Sequence, residues 1–503
     1  MLKRVFMAPD PGRTRLRFAA RAVLGIGLAV TVCGLAGHSL TGAVTGGLAA
    51  MLALFTVTDA TVRGQLVTTA LLPAVGLPVL AAAAGLHDHP VARGLVLLAV
   101  VGAGVYARRW GPRGHSLGVF AFMTFFVAQF LQAGPQQLPE LYAAVLLSVL
   151  TASAVRFVLW CYERRTTPVP GPVAPTGERG LARATTRQAV QATAAAGFAL
   201  VVGQLVSGER WYWAVGATWW IFVNTTSRGE TLVRGFRRVL GTVLGIGLGL
   251  AVAVPVAGAV VPTAVLVAVC VFGIFYSAAV SYTWMMLSVT LLAELLYGLL
   301  GVLDPALLAV RLAETGVGVL GALLAVLFVL PITTHATTDA WIQRALRCVH
   351  ACTAEATARL AGVPDLGASP EPAPRVAELE LLLGRVRLSV APLVHPLNPM
   401  RARKRRARRV LALLDDCARE IRGLAAVATD PEASHDARLP AACRRVESAV
   451  QALTEGRPTA VTAPADRAHA TEPALAHLHG LERALAELAK PLRGPSVSPL
   501  VGS

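Results

Sequence analysis

The stretch "RGFRRVLGTVLGIGLGLAVAVP", residues 234–255, decides how the whole chain is read. Three arginines, Arg234, Arg237 and Arg238, stop abruptly, and about twenty residues follow without a charge. Glycine recurs at Gly241, Gly245, Gly247 and Gly249. A phosphate-cradling loop needs a preceding strand and a following soluble helix. Neither is present, and no GK[ST] follows. A bilayer core needs about 20 apolar helical residues, so residues 239–258 are predicted to be a membrane helix. Gly241, Gly245 and Gly249 are spaced four apart and lie on one helix face. A second backbone can approach closely there, and the same smooth face would suit a substrate passage.

Composition extends this reading to the chain. Of 503 residues, 55% are hydrophobic and 15% charged, and the mean hydropathy is +0.59. Soluble domains carry about 25% charged residues. Twelve apolar runs are expected as helices, near 18–37, 40–58, 66–86, 90–107, 116–133, 141–160, 187–206, 211–226, 239–258, 260–280, 281–300 and 307–331. The expected fold is an all-α membrane protein of about twelve transmembrane helices in two six-helix modules, followed by a C-terminal cytoplasmic helical bundle. The modules are drawn at 1–162 and 187–335, with a Pro/Gly/Thr-rich linker at 163–186 and the helical domain at 336–503.

Loop charge sets the orientation. Lys3, Arg4, Arg13, Arg15 and Arg17, then Arg63, Arg108, Arg109, Arg113, Arg164, Arg165 and the Arg234 group fall on one side if every run crosses once. The opposite loops "GLAGHSL", "LHDHP" and "QAGPQQLPE" carry no Lys or Arg. Positive loops stay inside, so both termini are expected in the cytoplasm. Trp110, Trp160, Trp211, Trp213 and Trp341 lie near span ends, as an aromatic belt would. The first run resembles a retained anchor and not a cleaved signal peptide. Of the net charge of +17, residues 1–335 contribute +12. The excess is therefore juxtamembrane, which argues against a nucleic-acid partner. Only three lysines occur against abundant Arg and Ala, a bias that suggests a GC-rich bacterial genome.

No cofactor or metal is expected. The seven cysteines include no CxxC. His350 lies on a different helix face from Cys348 and Cys352, and reduced thiols are the simpler reading. His87, Asp88 and His89 form a loop triplet without evident partners.

Internal repetition is present. The ninth run reads Arg238-x-x-Gly241-Thr242-x-x-Gly245. The twelfth places Arg311, Thr315, Gly318 and Gly321 similarly and ends at Pro331. Runs one and seven also open alike, and repeats of this kind build secondary transporters.

Four stretches within 187–331 carry a resemblance to the fusaric acid resistance protein family, also called the aromatic acid exporter family. They are Arg187 before a small-residue helix, "RWYWAVGATWWIFVN", "RGFRRVLGTVLG" and "AVRLAETGVGVLGALLAVLFVLP". Residues 15–160 resemble a more diverged copy. The resemblance implies export of small organic acids, often aromatic carboxylates and toxic metabolites, driven by the proton gradient. Distantly related plant anion channels imply a channel as the alternative.

Ionisable residues inside spans are costly and are functional candidates. Glu294 lies about two thirds along an apolar run and could take up and release protons there. Arg311 and Glu314 either pair with each other at i,i+3, or Arg311 meets a substrate carboxylate bidentately. Arg93 and Arg21 are further pathway candidates. Arg234, Arg237 and Arg238 are either anchors or a vestibule that concentrates anions. Trp213 and Trp220 share a helix face and could stack on a flat substrate.

Beyond Thr337 five segments show amphipathic helical spacing. One begins with "RARKRRARR", residues 401–409, whose readings are a solvated helix start, a contact with anionic lipid or a regulatory contact. The expected partners are the lipid bilayer and a small anionic substrate, with a homo-oligomer left open. An enzyme is not expected, because no HExxH, GxSxG or paired-carboxylate motif occurs. A membrane scaffold or regulatory protein is the remaining alternative.

Overall fold

A computed structural model of the chain describes residues 13–59, 61–163, 180–223, 225, 228–256, 259–330, 334–360, 373–394, 401–428, 438–455 and 472–492. Among these residues there is no β-strand. The linker expected at 163–186 lies for the most part outside them, as do Lys3, Arg4, Arg164 and Arg165.

Every predicted apolar run falls on a helix. The helices are α1 (Thr14–Leu35), α2 (Leu40–Thr56), α3 (Val62–Gly85), α4 (Pro90–Tyr106), α5 (Gly111–Phe130), α6 (Leu138–Glu163), α7 (Ala184–Val206), α8 (Tyr212–Phe222), α9 (Arg228–Val252), α10 (Val260–Ser277), α11 (Tyr282–Leu299) and α12 (Pro305–Phe328). Local chemistry sets their starts. The Ser39 and Thr61 hydroxyls accept from the Gly42 and Gly64 N–H groups at 3.3 and 3.0 Å, and the Asp304 carboxylate accepts from Ala306 N–H at 3.1 Å. Each satisfies an N–H that a helix leaves unpaired in its first turn. Between α4 and α5 the chain turns at Gly111, whose φ of 76° suits glycine, and Pro112 starts the next helix.

Nine stretches among the described residues are long and apolar enough to cross a membrane, with α4 and α5 counted together as Pro90–Phe130. The chain is an all-α, multi-pass membrane protein. Two helices depart from the expected length. α2 has 17 residues, and α8 has 11. At 1.5 Å per residue α8 rises only about 16 Å, well short of a hydrocarbon core of about 30 Å. Its backbone is buried in protein, where such a short segment is tolerated. α9 differs in the other direction. It begins at Arg228, eleven residues before the predicted start, because the arginine-rich turn is itself helical.

The described residues form two compact units, α1 to α12 (from Thr231 in α9) and the helices that follow. In the first, α1, α2 and α6 pack on one another, and α7, α8 and α12 repeat the arrangement. The crossings between halves are reciprocal too: α1 meets α10, and α4 meets α7. Its core runs from Leu72, Leu80, Phe120 and Phe125 to Trp219, Tyr212 and Phe222. Phe122 stacks on Trp219 with centroids 4.4 Å apart.

The second unit contains α13 (Thr334–Leu360), α14 (Ala373–Val394), α15 (Arg401–Val427), α16 (Leu439–Glu455) and α17 (Pro473–Leu492). Leu346, Val386, Leu414, Val446, Leu478 and Leu485 share its core. In the basic run, Arg409 pairs with Glu487 at 2.7 Å and Arg406 donates to the Pro491 carbonyl at 2.9 Å. The run is therefore partly tied to the end of α17.

Candidate functional site

Glycine placement explains how α9 reaches α11. A Cβ on Gly241 would lie 2.6 Å from the Thr283 carbonyl, and one on Gly245 would lie 2.6 Å from the Thr290 Cβ. At Gly249 the same face meets the Glu294 carboxylate, and a methyl group there would collide with it. The missing side chains thus let two backbones close together, and the last gap is filled by an acid.

Glu294 is 0% exposed, and neither carboxylate oxygen has a hydrogen-bond partner among the described residues. Glu314 is also 0% exposed with both oxygens unpartnered. Its carboxylate lies against α7 and α8: a Cβ built on Gly203 would sit 2.8 Å from Glu314 Oε2 and 3.3 Å from the Trp211 carbonyl. Arg311, 4% exposed, is on the same helix as Glu314, and the i,i+3 pairing allowed by the sequence does not form. Its guanidinium lies 4.0 Å from the centroid of Trp213, and Nη1 has no hydrogen-bond partner among the described residues. The ring offers the cation a negative face but leaves the guanidinium's fork of donors for another acceptor.

Trp213 is fixed by its neighbours. Its indole N–H donates to the Tyr297 hydroxyl at 2.6 Å. Phe126 and Phe130 meet the ring edge-on at 5.2 and 6.1 Å. Trp220 is half-buried and has no part in this cluster. The helical spacing of the two tryptophans therefore does not make a pair. The aromatic-belt expectation also needs correction. Trp110 is 61% exposed and fits a belt, but Trp211 and Trp213 are buried in protein and Trp341 packs on the core of the second unit. Trp211 and Trp213 lie where α8 packs against α7 and α12.

The Arg234 group divides. Arg238 is 6% exposed and donates to the Tyr282 hydroxyl at 3.3 Å and to Met286 Sδ at 3.1 Å. Arg234 lies over the Tyr282 ring at 4.1 Å. Arg237 is half-buried. Arg238 and Arg311 occupy matching places in the repeated motif, and both end in the core. Arg93 donates to the His87 carbonyl at 3.1 Å and lies over Trp211 at 5.5 Å. Arg21 is half-buried on α1, electrostatically coupled to Arg156 and apart from the other candidates.

Sequence reasoning missed Arg210 and Tyr297, and saw Tyr212 only as one of the aromatics of its helix, with no polar role. Arg210 donates to Tyr212 Oη at 3.2 Å and lies 5.6 Å over the Tyr297 ring. A loop arginine and two apolar-helix tyrosines carry no signal until the fold joins residues 84 positions apart.

Among the described residues of this half, Thr185 Oγ1, Trp219 Nε1, Arg234 Nε and Arg238 Nε are also buried without a hydrogen-bond partner, while other buried polar groups are satisfied. Gln188 donates to the Thr225 carbonyl at 2.7 Å, Gln191 to the Val329 and Leu330 carbonyls at 2.9 and 3.0 Å, and Thr218 to the Gly318 carbonyl at 2.9 Å. Native cores pair most polar atoms, and Glu294 and Glu314, with both carboxylate oxygens unpartnered, and Arg311, with Nη1 unpartnered, are charged exceptions to that rule. The cysteines mark no site. The six described are free and buried, and burial pushes the Cys417 thiol up to about 12. Among the described residues no three His, Cys, Asp or Glu side chains group to hold a metal.

No curated protein and no solved structure matches the chain. Residues 198–325, the stretch that holds Trp213, Arg238, Gly249, Glu294, Arg311 and Glu314, match the family model described as fusaric acid resistance protein-like, so the second half of the membrane unit is similar to that family.

Proposed function

We propose that the chain is an exporter of small organic anions, aromatic carboxylates and toxic metabolites among them, driven by the proton gradient across a bacterial cytoplasmic membrane. Both termini lie in the cytoplasm, and the chain crosses twelve times as two six-helix modules. α8 completes its crossing through the residues that flank it. Arg311 binds the substrate carboxylate, Glu294 takes up and releases protons, and Arg234, Arg237 and Arg238 draw anions toward the inner end. No catalytic residue is assigned.

The observation that carries this reading is the buried trio Glu294, Arg311 and Glu314, unpartnered inside the family-matched half. Ionisable side chains at such depth are kept for transport or proton relay. A second feature agrees. α8, with 11 residues, is far shorter than a full span, and short, interrupted helices are where transporters place their binding sites.

The test is efflux. Cells lacking their own aromatic-acid exporters are preloaded with radiolabelled carboxylates, and retention is followed with and without a protonophore. Faster loss of one acid, stopped by the protonophore and by Glu294→Gln, is the expected result. Loss that survives both points to an anion channel on the same scaffold. Retention equal to that of empty cells, with the protein present in the membrane, overturns the transport reading.

A further inference from the structure

Three arginines of the membrane unit share one environment. Arg93, Arg210 and Arg311 each lie over an aromatic ring, at 5.5, 5.6 and 4.0 Å, and none forms an ion pair among the described residues. Asp88 and Glu209 act on Arg93 and Arg210 only from a distance. The rings are joined. From the α3–α4 connection inward, Arg93 lies on Trp211, whose ring meets Tyr212 at 6.3 Å. The Tyr212 hydroxyl accepts from Arg210, which lies over Tyr297. The Tyr297 hydroxyl accepts from Trp213, and Trp213 carries Arg311. Each link is a contact in the structure, and the series runs from a connection between helices to Arg311, which is 4% exposed.

The hydroxyls add donors. Each accepts one hydrogen bond from its neighbour and keeps its own O–H to give. Both hydroxyls accept a bond and neither is shown giving its own among the described residues, so an O–H is placed next to the Arg210 guanidinium. A guanidinium with a hydroxyl donor beside it suits a carboxylate. A transported ion must also leave, and a deep cation alone holds it too firmly, so pathways use several weaker sites in series.

We infer that Arg210, in the α7–α8 connection, with the Tyr212 and Tyr297 hydroxyls, forms a second binding station for the carboxylate of an organic monoanion. This rests on the anion-transport reading. An anion released from Arg311 is held next at Arg210 and leaves past Arg93.

The full chain in lipid nanodiscs is titrated with radiolabelled benzoate, and benzoate efflux is measured from proteoliposomes. The wild type binds two benzoates. Arg210→Gln binds one, keeps the tighter site and slows efflux about tenfold, the effect of losing one charge-assisted contact, while Arg210→Lys restores part of the rate. Tyr297→Phe, which keeps the ring, weakens the same looser site. Arg311→Gln removes the tighter site instead. A wild type with one site and an Arg210→Gln variant equal to it overturns the second station and leaves the transport reading standing. A wild type that binds no benzoate overturns both.

Discussion

The two halves of the membrane unit use the same helix pairings for different ends. In the first half, the buried polar groups among the described residues are uncharged: Thr45, Thr68, Thr69, Ser116, Thr124, Gln129 and Ser148. Thr45, Ser116 and Thr124 bond within their own helices, Thr124 to the Phe120 and Ala121 carbonyls at 3.1 and 2.9 Å, while Thr68, Thr69 and Ser148 pair with Arg113, Arg156 and Cys33 of other helices. Its one deep arginine, Arg156, is half-buried and occupied, donating to Thr69 Oγ1 at 3.1 Å and to the Ala53 carbonyl. In the second half Arg238, Glu294, Arg311 and Glu314 are all buried charges; both oxygens of Glu294 and Glu314 and Nη1 of Arg311 have no hydrogen-bond partner among the described residues, while Arg238 bonds to a hydroxyl and a sulfur. A fold repeated in outline need not repeat its chemistry. Among the described residues the copy that matches the family model carries the fully buried charges.

That contrast can be broken by substitution. The largest effect is expected from Arg311→Ala, which leaves folded protein in the membrane but lowers benzoate efflux by about a hundredfold, a loss of about 3 kcal/mol for a charge-assisted contact. Arg311→Lys recovers little of it, because an ammonium neither lies flat on Trp213 nor binds a carboxylate with two parallel donors. Next in size is Gly241→Leu. Its side chain meets the Thr283 carbonyl and Met286 Cβ, so α9 and α11 must part and thermal stability in detergent falls by about 1–3 kcal/mol. Gly249→Ala sharpens the test. The added methyl displaces the Glu294 carboxylate, so proton-coupled efflux falls further than stability does.

In the first half, Phe55→Ala removes a ring stacked on Phe275 at 3.7 Å across the α2–α10 approach. It lowers the unfolding temperature, with the aromatic pair contributing about 1 kcal/mol, and leaves benzoate affinity unchanged. The smallest effect is expected in the second unit. Glu487 accepts from Lys490 and Arg409, and these exposed contacts hold its carboxyl below the ordinary glutamate range. Arg409→Ala is expected to change neither efflux nor melting temperature measurably, as exposed ion pairs contribute little.

The sequence showed the helices more fully than the site. Apolar length and Pro or Ser starts are local properties, so each run was placed to within a few residues apart from α8 and α9. α8 misled because its aromatic run reads as a full span, although only 11 of its residues are helical. Glu294, Arg311 and Glu314 were legible because a charge inside an apolar run stands out. What each charge faces was not. The choice of Trp213 over Glu314 as the neighbour of Arg311 is made by α8 packing on α12, and the role of Tyr297 depends on a bond across 84 residues. Arg210 was invisible for the opposite reason: in a loop, an arginine is the expected residue.

The most direct test of the contrast between the halves compares two arginines at equal amounts of reconstituted protein. Benzoate efflux is measured from proteoliposomes holding wild type, Arg311→Ala or Arg156→Ala. The account predicts near-complete loss for Arg311→Ala and a rate within about twofold of wild type for Arg156→Ala, whose partners are a hydroxyl and a carbonyl that water can satisfy. Equal loss in both variants, or loss confined to Arg156→Ala, would contradict the assignment of transport chemistry to the second half.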